Sequence, residues 1–130
     1  MKEEKLKGFL IDVYKDNKSK VTVIDNELES IYKALGVKLI EVHTQKIGDF
    51  EYDIICDEEG LWKDMACPSI VNKNDEPLIV GNILICRSDE EGNFCSINDF
   101  DIANIKQHII KGYAVSPDLQ KKEIEVLVLD

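Results

Sequence analysis

Carboxylates are the side chains this chain offers most freely for chemistry. Asp57-Glu58-Glu59-Gly60 and Asp89-Glu90-Glu91-Gly92 repeat one pattern, an acidic turn that closes an apolar run. Such oxygen clusters can hold a divalent cation, but neither has the alternating spacing of an EF-hand loop. The four cysteines, Cys56, Cys67, Cys86 and Cys95, include no Cys-x-x-Cys, and His43 and His108 stand at no ligand-like spacing to them. A tetrahedral zinc centre usually takes two donors from one turn, so the expectation is structural thiols and neither metal nor cofactor. Nucleophilic catalysis needs a Ser or Cys beside a base that an acid orients. The chain has no Gly-x-Ser-x-Gly, no phosphate-binding loop and no dinucleotide fingerprint. No catalytic residue is assigned, and an enzyme is the minority reading.

What remains is recognition. Glu51, Asp53, Asp57, Glu58, Glu59, Asp89, Glu90 and Glu91 read as one acidic surface, either merely solvated or steering a basic partner into contact. The alternative is a pocket for a small nucleotide-like ligand near Gly81-Asn82, with Trp62 and Asn72 beside it. Lys63, Lys73 and Arg87 are the cations that would hold an anion there. A glycine inside an apolar run marks a bulge or the close approach of another backbone or ligand.

The charge balance limits the partners. Net charge is −10, from 26 acids against 16 bases, and Arg87 is the sole arginine. Phosphate backbones are gripped by clustered Lys and Arg, so direct nucleic-acid binding is not expected. No run of apolar residues approaches a membrane span, and Met1-Lys-Glu-Glu-Lys-Leu-Lys7 has no apolar segment of a secretion signal. A cytoplasmic location follows as the expectation.

Elements must position these groups. Lys7–Tyr14 and Val21–Ile24 predict a hairpin around a Lys15–Ser19 turn. Asn26 with Glu29 predicts a capping box before a helix whose Leu28, Ile31, Tyr32 and Leu35 form one stripe, stopped by Gly36. A second hairpin runs from Lys38–Thr44 through a Gln45–Asp49 turn to Phe50–Asp57. On its return strand Phe50, Tyr52, Ile54 and Cys56 face one way and Glu51, Asp53, Ile55 and Asp57 the other. Residues 61–77 read as the longest irregular stretch, with a short helical turn before Pro68 and a polar loop over 72–77. Pro77–Cys86 predicts one central strand, interrupted at Gly81-Asn82. Ser96 with Asp99 predicts a second helix, lined by Ile102, Ile105 and Ile109 and ended by Gly112. Lys121–Asp130 alternates as a terminal strand that either closes its own sheet or pairs with a second copy in a homodimer.

The order of these motifs resembles an uncharacterised family, domain of unknown function 3846. The likeness is carried over roughly residues 7–110 by the Leu28–Gly36 helix, Glu59-Gly60-Leu61, Asn72, Ile79-Val80-Gly81 and Asp99–Ile102. The resemblance implies an origin among Firmicutes, phages and mobile elements, and no established activity. In that setting small acidic proteins bind and block host machinery.

The expected fold is a single α+β domain over 1–130. Its mostly antiparallel sheet has five or six strands, with two main helices packed on one face. Residues 1–6 are a flexible end, and 113–130 a C-terminal extension. The expected function is stoichiometric inhibition or regulation of a host protein, with a ligand sponge as the alternative.

Overall fold

A computed structural model describes residues 3–13, 18–59, 68–115 and 121–129. The first hairpin pairs β1 (Lys5–Asp12) with β2 (Lys18–Asp25) in unbroken antiparallel register. Helix α1 (Leu28–Leu35) follows, and Gly36 closes it with φ 70 and its N–H on the Tyr32 carbonyl. The cap differs from expectation. Glu27 is the N-cap and makes no side-chain bond to the helix, because Asn26 is drawn inward. The Asn26 amide donates to the Glu3 and Phe94 carbonyls, joining the segment before β1 to the residue just past the second acidic turn instead.

Strands β3 (Ile40–Ile47) and β4 (Phe50–Asp57) meet at a tight Gly48-Asp49 turn, shorter than predicted. Gly48 has φ 65, a conformation that suits a residue without Cβ. Of the stretch expected to be irregular, 61–67 lie outside the described residues, and the polar loop is a short turn between two strands. Pro68 opens a strand, β5 (Pro68–Asn72), which a turn at 73–76 joins to β6 (Pro77–Val80).

The predicted central strand over 77–86 is two strands in two sheets. β6 ends at Val80, the chain turns at Gly81 with φ 89, and β7 (Ile83–Ser88) enters the other sheet. A short β8 (Phe94–Cys95) pairs with the end of β7. Helix α2 (Asp99–Lys106) begins one motif later than predicted: Asn98, not Ser96, is its cap, in a reciprocal capping box with Asp101. Ser96 instead accepts the Lys7 N–H. The helix stops before Ile109, and β9 (Ile109–Val115) carries Gly112 as a strand residue. β10 (Lys121–Leu129) is the last element among the described residues.

The described residues form two sheets rather than one. The larger is antiparallel with order β2-β1-β7-β4-β3 and β8 beside β7; the smaller has order β6-β5-β10-β9. β10 pairs antiparallel with β9 over Lys121–Leu127 and parallel with β5 over Leu127–Leu129, so it joins a sheet of its own chain.

Strand alternation divides the core. Phe9, Ile11, Ile54, Ile83 and Ile85 point from the larger sheet toward Ile70 and Leu127 of the smaller, together with Ile105 of α2. Leu6, Leu10, Ile55 and Leu84 point the opposite way, onto Ile31 and Leu35 of α1. The helices therefore cover opposite faces, not one. Burial on both faces explains why β7 reads as continuously apolar.

Candidate functional site

The two acidic turns do not make one surface. β4 and β7 are antiparallel, with Cys56 opposite Ile83 and Asp53 opposite Cys86. The turn after each strand therefore lies at the opposite end of the sheet from the other. Six residues of strand set Glu58-Glu59 and Glu90-Glu91 roughly 20 Å apart. Asp53 and Asp57, expected on a solvated face, are buried with Ile55 on the α1 side of the sheet. Asp53 accepts from the Thr44 hydroxyl, and Asp57 from the Glu59 N–H. Asp89 is committed to its own turn: Oδ1 accepts the Glu91 and Asn93 N–H groups, and Oδ2 the Asn93 amide. Those bonds, the Asn93 N–H first, outweigh desolvation and hold its carboxyl below the usual range.

Among the described residues, the members of the predicted pocket do not converge either. Asn82 and Arg87 stand at opposite ends of β7. The Asn82 side chain is an internal staple, accepting the Val13 N–H at 2.8 Å and donating to the Leu35 carbonyl at 3.2 Å. Asn72 shapes the β5–β6 turn by accepting the Asn74 and Glu76 N–H groups, and Lys73 is exposed on that turn. Trp62 and Lys63 lie outside the described residues. Asn82 does line one cleft, of about 540 Å³, together with Thr22, Lys20, Lys33 and Gly36.

Arg87 is occupied. Its guanidinium binds the wholly buried Asp101 carboxylate and lies 5.6 Å from the centre of the Tyr52 ring. Tyr52 donates to the same carboxylate at 2.8 Å, and Asn104 donates to the Tyr52 oxygen and the Ile47 carbonyl. This network fastens α2 to β4 and β7.

What the fold does assemble is one end of the larger sheet. The start of β1, the end of β2, the β3–β4 turn, the β7–β8 turn and the start of α2 all lie there. Glu3, Glu4, Asp25, Glu27, Asp49, Glu51, Glu90, Glu91 and Asp99 are exposed at this end, with Lys5 bridged to Asp25 and Lys7 3.9 Å from Asp99. Among them Phe50 and Phe100, 41% and 57% exposed, meet edge to face with ring centres 5.1 Å apart. Sequence reasoning placed Phe50 inward with Tyr52 and passed over Phe100. An apolar residue directly flanked by acids, as in Asp49-Phe50-Glu51 and Asp99-Phe100-Asp101, was the available signal.

A second grouping was also missed. The β3–β4 register sets Glu41 opposite Cys56 and His43 opposite Ile54, on one face. His43 Nε2 lies 3.1 Å from Glu41 Oε1, which lies 3.9 Å from Cys56 Sγ. Burial, then the Glu41 and Asp57 charges, pushes the Cys56 thiol up to about 12. The hairpin register held the signal, because Glu41-x-His43 alternates onto one side of a strand.

A family model described as Domain of unknown function (DUF3846) matches residues 7–110. The chain belongs to that family. The DUF3846 match takes in the whole larger sheet except the first two residues of β1, and both helices. It ends two residues into β9, before β10. No curated protein and no solved structure matches the chain. No helix among the described residues is long and apolar enough to cross a membrane.

Proposed function

We propose that this DUF3846 chain is a non-catalytic binding protein, an inhibitor or regulator that docks stoichiometrically on a basic surface of a host protein. The observation that carries this reading is the exposed Phe50–Phe100 pair set among Asp49, Glu51 and Asp99. Aromatic side chains in a polar rim are the usual anchors of protein interfaces. Surrounding carboxylates would add long-range attraction and raise the rate of encounter with a cationic partner. The mobile-element setting of the family resemblance supplies the host context.

The test begins with capture of a partner from host lysate, followed by binding kinetics with the purified pair. Phe100→Ala should speed dissociation by about tenfold or more, as loss of an interface anchor does. Glu51→Gln with Glu90→Gln and Glu91→Gln should slow association and flatten its salt dependence, whereas Glu58→Gln with Glu59→Gln, at the far end, should leave both unchanged. Binding indifferent to Phe100 and to the near-end charges would overturn the reading.

A second reading, a binder or sponge for a small anionic nucleotide-like ligand, is favoured by the cleft between α1 and the β1–β2 hairpin. Its volume of about 540 Å³ suits a small ligand, and Lys20 and Lys33 line it. Native mass spectrometry tests it. A retained small molecule that Lys33→Ala releases supports this reading, and a clean apo mass at saturating nucleotide rejects it.

A further inference from the structure

We propose that Glu41, His43 and Cys56 form a site for a divalent transition-metal cation of the zinc class, with its fourth position open to solvent. The three donors differ in chemistry: one carboxylate oxygen, one imidazole nitrogen and one sulfur. That mixture suits a borderline cation such as Zn²⁺ or Co²⁺, and disfavours Mg²⁺ and Ca²⁺, which prefer oxygen alone.

The geometry is close to what such an ion needs. Metal bonds of about 2.0 Å to O and N and about 2.3 Å to S give tetrahedral donor separations of roughly 3.3–3.6 Å. Here Glu41 Oε1 stands 3.1 Å from His43 Nε2 and 3.9 Å from Cys56 Sγ, and all three donor atoms lie within 4.8 Å of one another. Shifts of a few tenths of an ångström to about 1 Å in two partly exposed side chains would complete the set. The backbone beneath is fixed, because β3 and β4 pair residue for residue from Ile40–Asp57 to Ile47–Phe50.

Access and charge also fit. The Glu41 and His43 side chains are 49% and 41% exposed, so a cation can arrive from water, with the buried sulfur behind them. Burial first, and then the Glu41 and Asp57 charges, disfavour a thiolate at Cys56. A bound dication reverses that balance, since both carboxylates then favour the ion. Coordination forms the metal–sulfur bond and releases the thiol proton to solvent, with no change of oxidation state. Cys86 belongs to the opposite core cluster and Cys95 to β8, so neither is part of this grouping.

The decisive experiment is titration of the reduced protein with Co²⁺ alone, followed by absorbance, with Zn²⁺ displacement and thermal melting alongside. The expected result is a one-to-one thiolate-to-cobalt charge-transfer band with tetrahedral visible bands, lost on adding Zn²⁺, and a melting temperature raised by either ion. Cys56→Ser and His43→Ala should abolish the band, and Glu41→Gln should weaken Co²⁺ binding by at least about tenfold. His43 and Glu41 sit on an exposed edge strand, so their variants carry the test even where Cys56→Ser impairs folding. Absence of a thiolate band at stoichiometric Co²⁺ would overturn the site. Its persistence in folded Cys56→Ser, or at full strength in His43→Ala, would do the same by assigning the sulfur or the ion elsewhere.

Discussion

The Arg87 guanidinium rests on the Asp101 carboxylate, which has no exposed surface, while 38% of the Arg87 side chain remains exposed. The pair joins the end of β7 to the first turn of α2. It gives Arg87, one of the three cations expected to hold an anionic ligand, a carboxylate partner inside the fold. Asp101 serves three further groups besides: the Tyr52 hydroxyl, the Asn98 N–H, and through its own N–H the Asn98 side chain.

Removing either partner should destabilise the fold, by unequal amounts. Arg87→Met leaves a buried carboxylate with neutral donors only. A fully buried pair broken this way costs roughly 3–5 kcal/mol, and the exposure of Arg87 reduces the expectation to about 2 kcal/mol. The arginine Nε is also buried without a partner, which lowers the loss further. Asp101→Ala should cost about 3 kcal/mol, because the helix cap goes with it. Urea unfolding followed by circular dichroism measures both, and a smaller loss for Asp101→Ala than for Arg87→Met would contradict the network.

The same carboxylate makes stability depend on pH. Burial pushes the Asp101 carboxyl up, but Arg87, the Asn98 N–H and Tyr52 together outweigh it, and the net shift is downward. A carboxyl held below its unfolded value stabilises the fold fully above about pH 4. That contribution disappears as pH falls through the lower folded-state value. Urea midpoints from pH 7 to pH 2 should therefore show the wild type losing its advantage over Asp101→Asn only at the acidic end. A constant difference across that range would exclude the linkage.

Asn82 should behave as a structural residue. It closes the Val13 N–H and the Leu35 carbonyl from one buried amide. Asn82→Ala strands both groups, at about 1–3 kcal/mol for each buried unsatisfied partner, less whatever water reaches the α1 cleft. Asn82→Asp retains the acceptor but loses the donor, so it should lie between wild type and Asn82→Ala at neutral pH. Equal stability of all three would show that the staple is not needed.

Two glycines separate strain from space. Gly36 has φ 70 and open room for a Cβ, so Gly36→Ala should cost only the left-handed penalty of about 1 kcal/mol. Gly48 has φ 65, and its Cβ would lie 2.8 Å from Asn104 Oδ1. Gly48→Ala should therefore cost more, about 2 kcal/mol, because it also disturbs the Asn104 bond to Ile47. Thermal melts of the two variants side by side decide whether the contact adds to the backbone term.

Alternation and turn chemistry made much of the fold legible in the residues. β4 runs over Phe50–Asp57 as its pattern predicted, α1 stops at Gly36, and mostly antiparallel strands with two helices follow from local sequence. Family membership was legible too, since motif order survives in the linear chain. Local pattern does not encode which strands become neighbours. Gly81 marked an interruption in an apolar run, but only the packed structure made it a crossing between sheets. Asn26 and Ser96 had the chemistry of helix caps, and long-range bonds to β1 and the residues just before it claimed them instead. The acidic turns looked like one surface because they repeat in sequence, and antiparallel pairing of β4 with β7 set them at opposite ends. The sequence alone thus determined the two hairpins, the first helix, the terminal strand and the carboxylate excess, which depend on neighbours a few residues away. Tertiary structure decided which carboxylates are buried, which are exposed together at one end of the larger sheet, and that Glu41, His43 and Cys56 meet, because those facts depend on strand register and on what packs across each face.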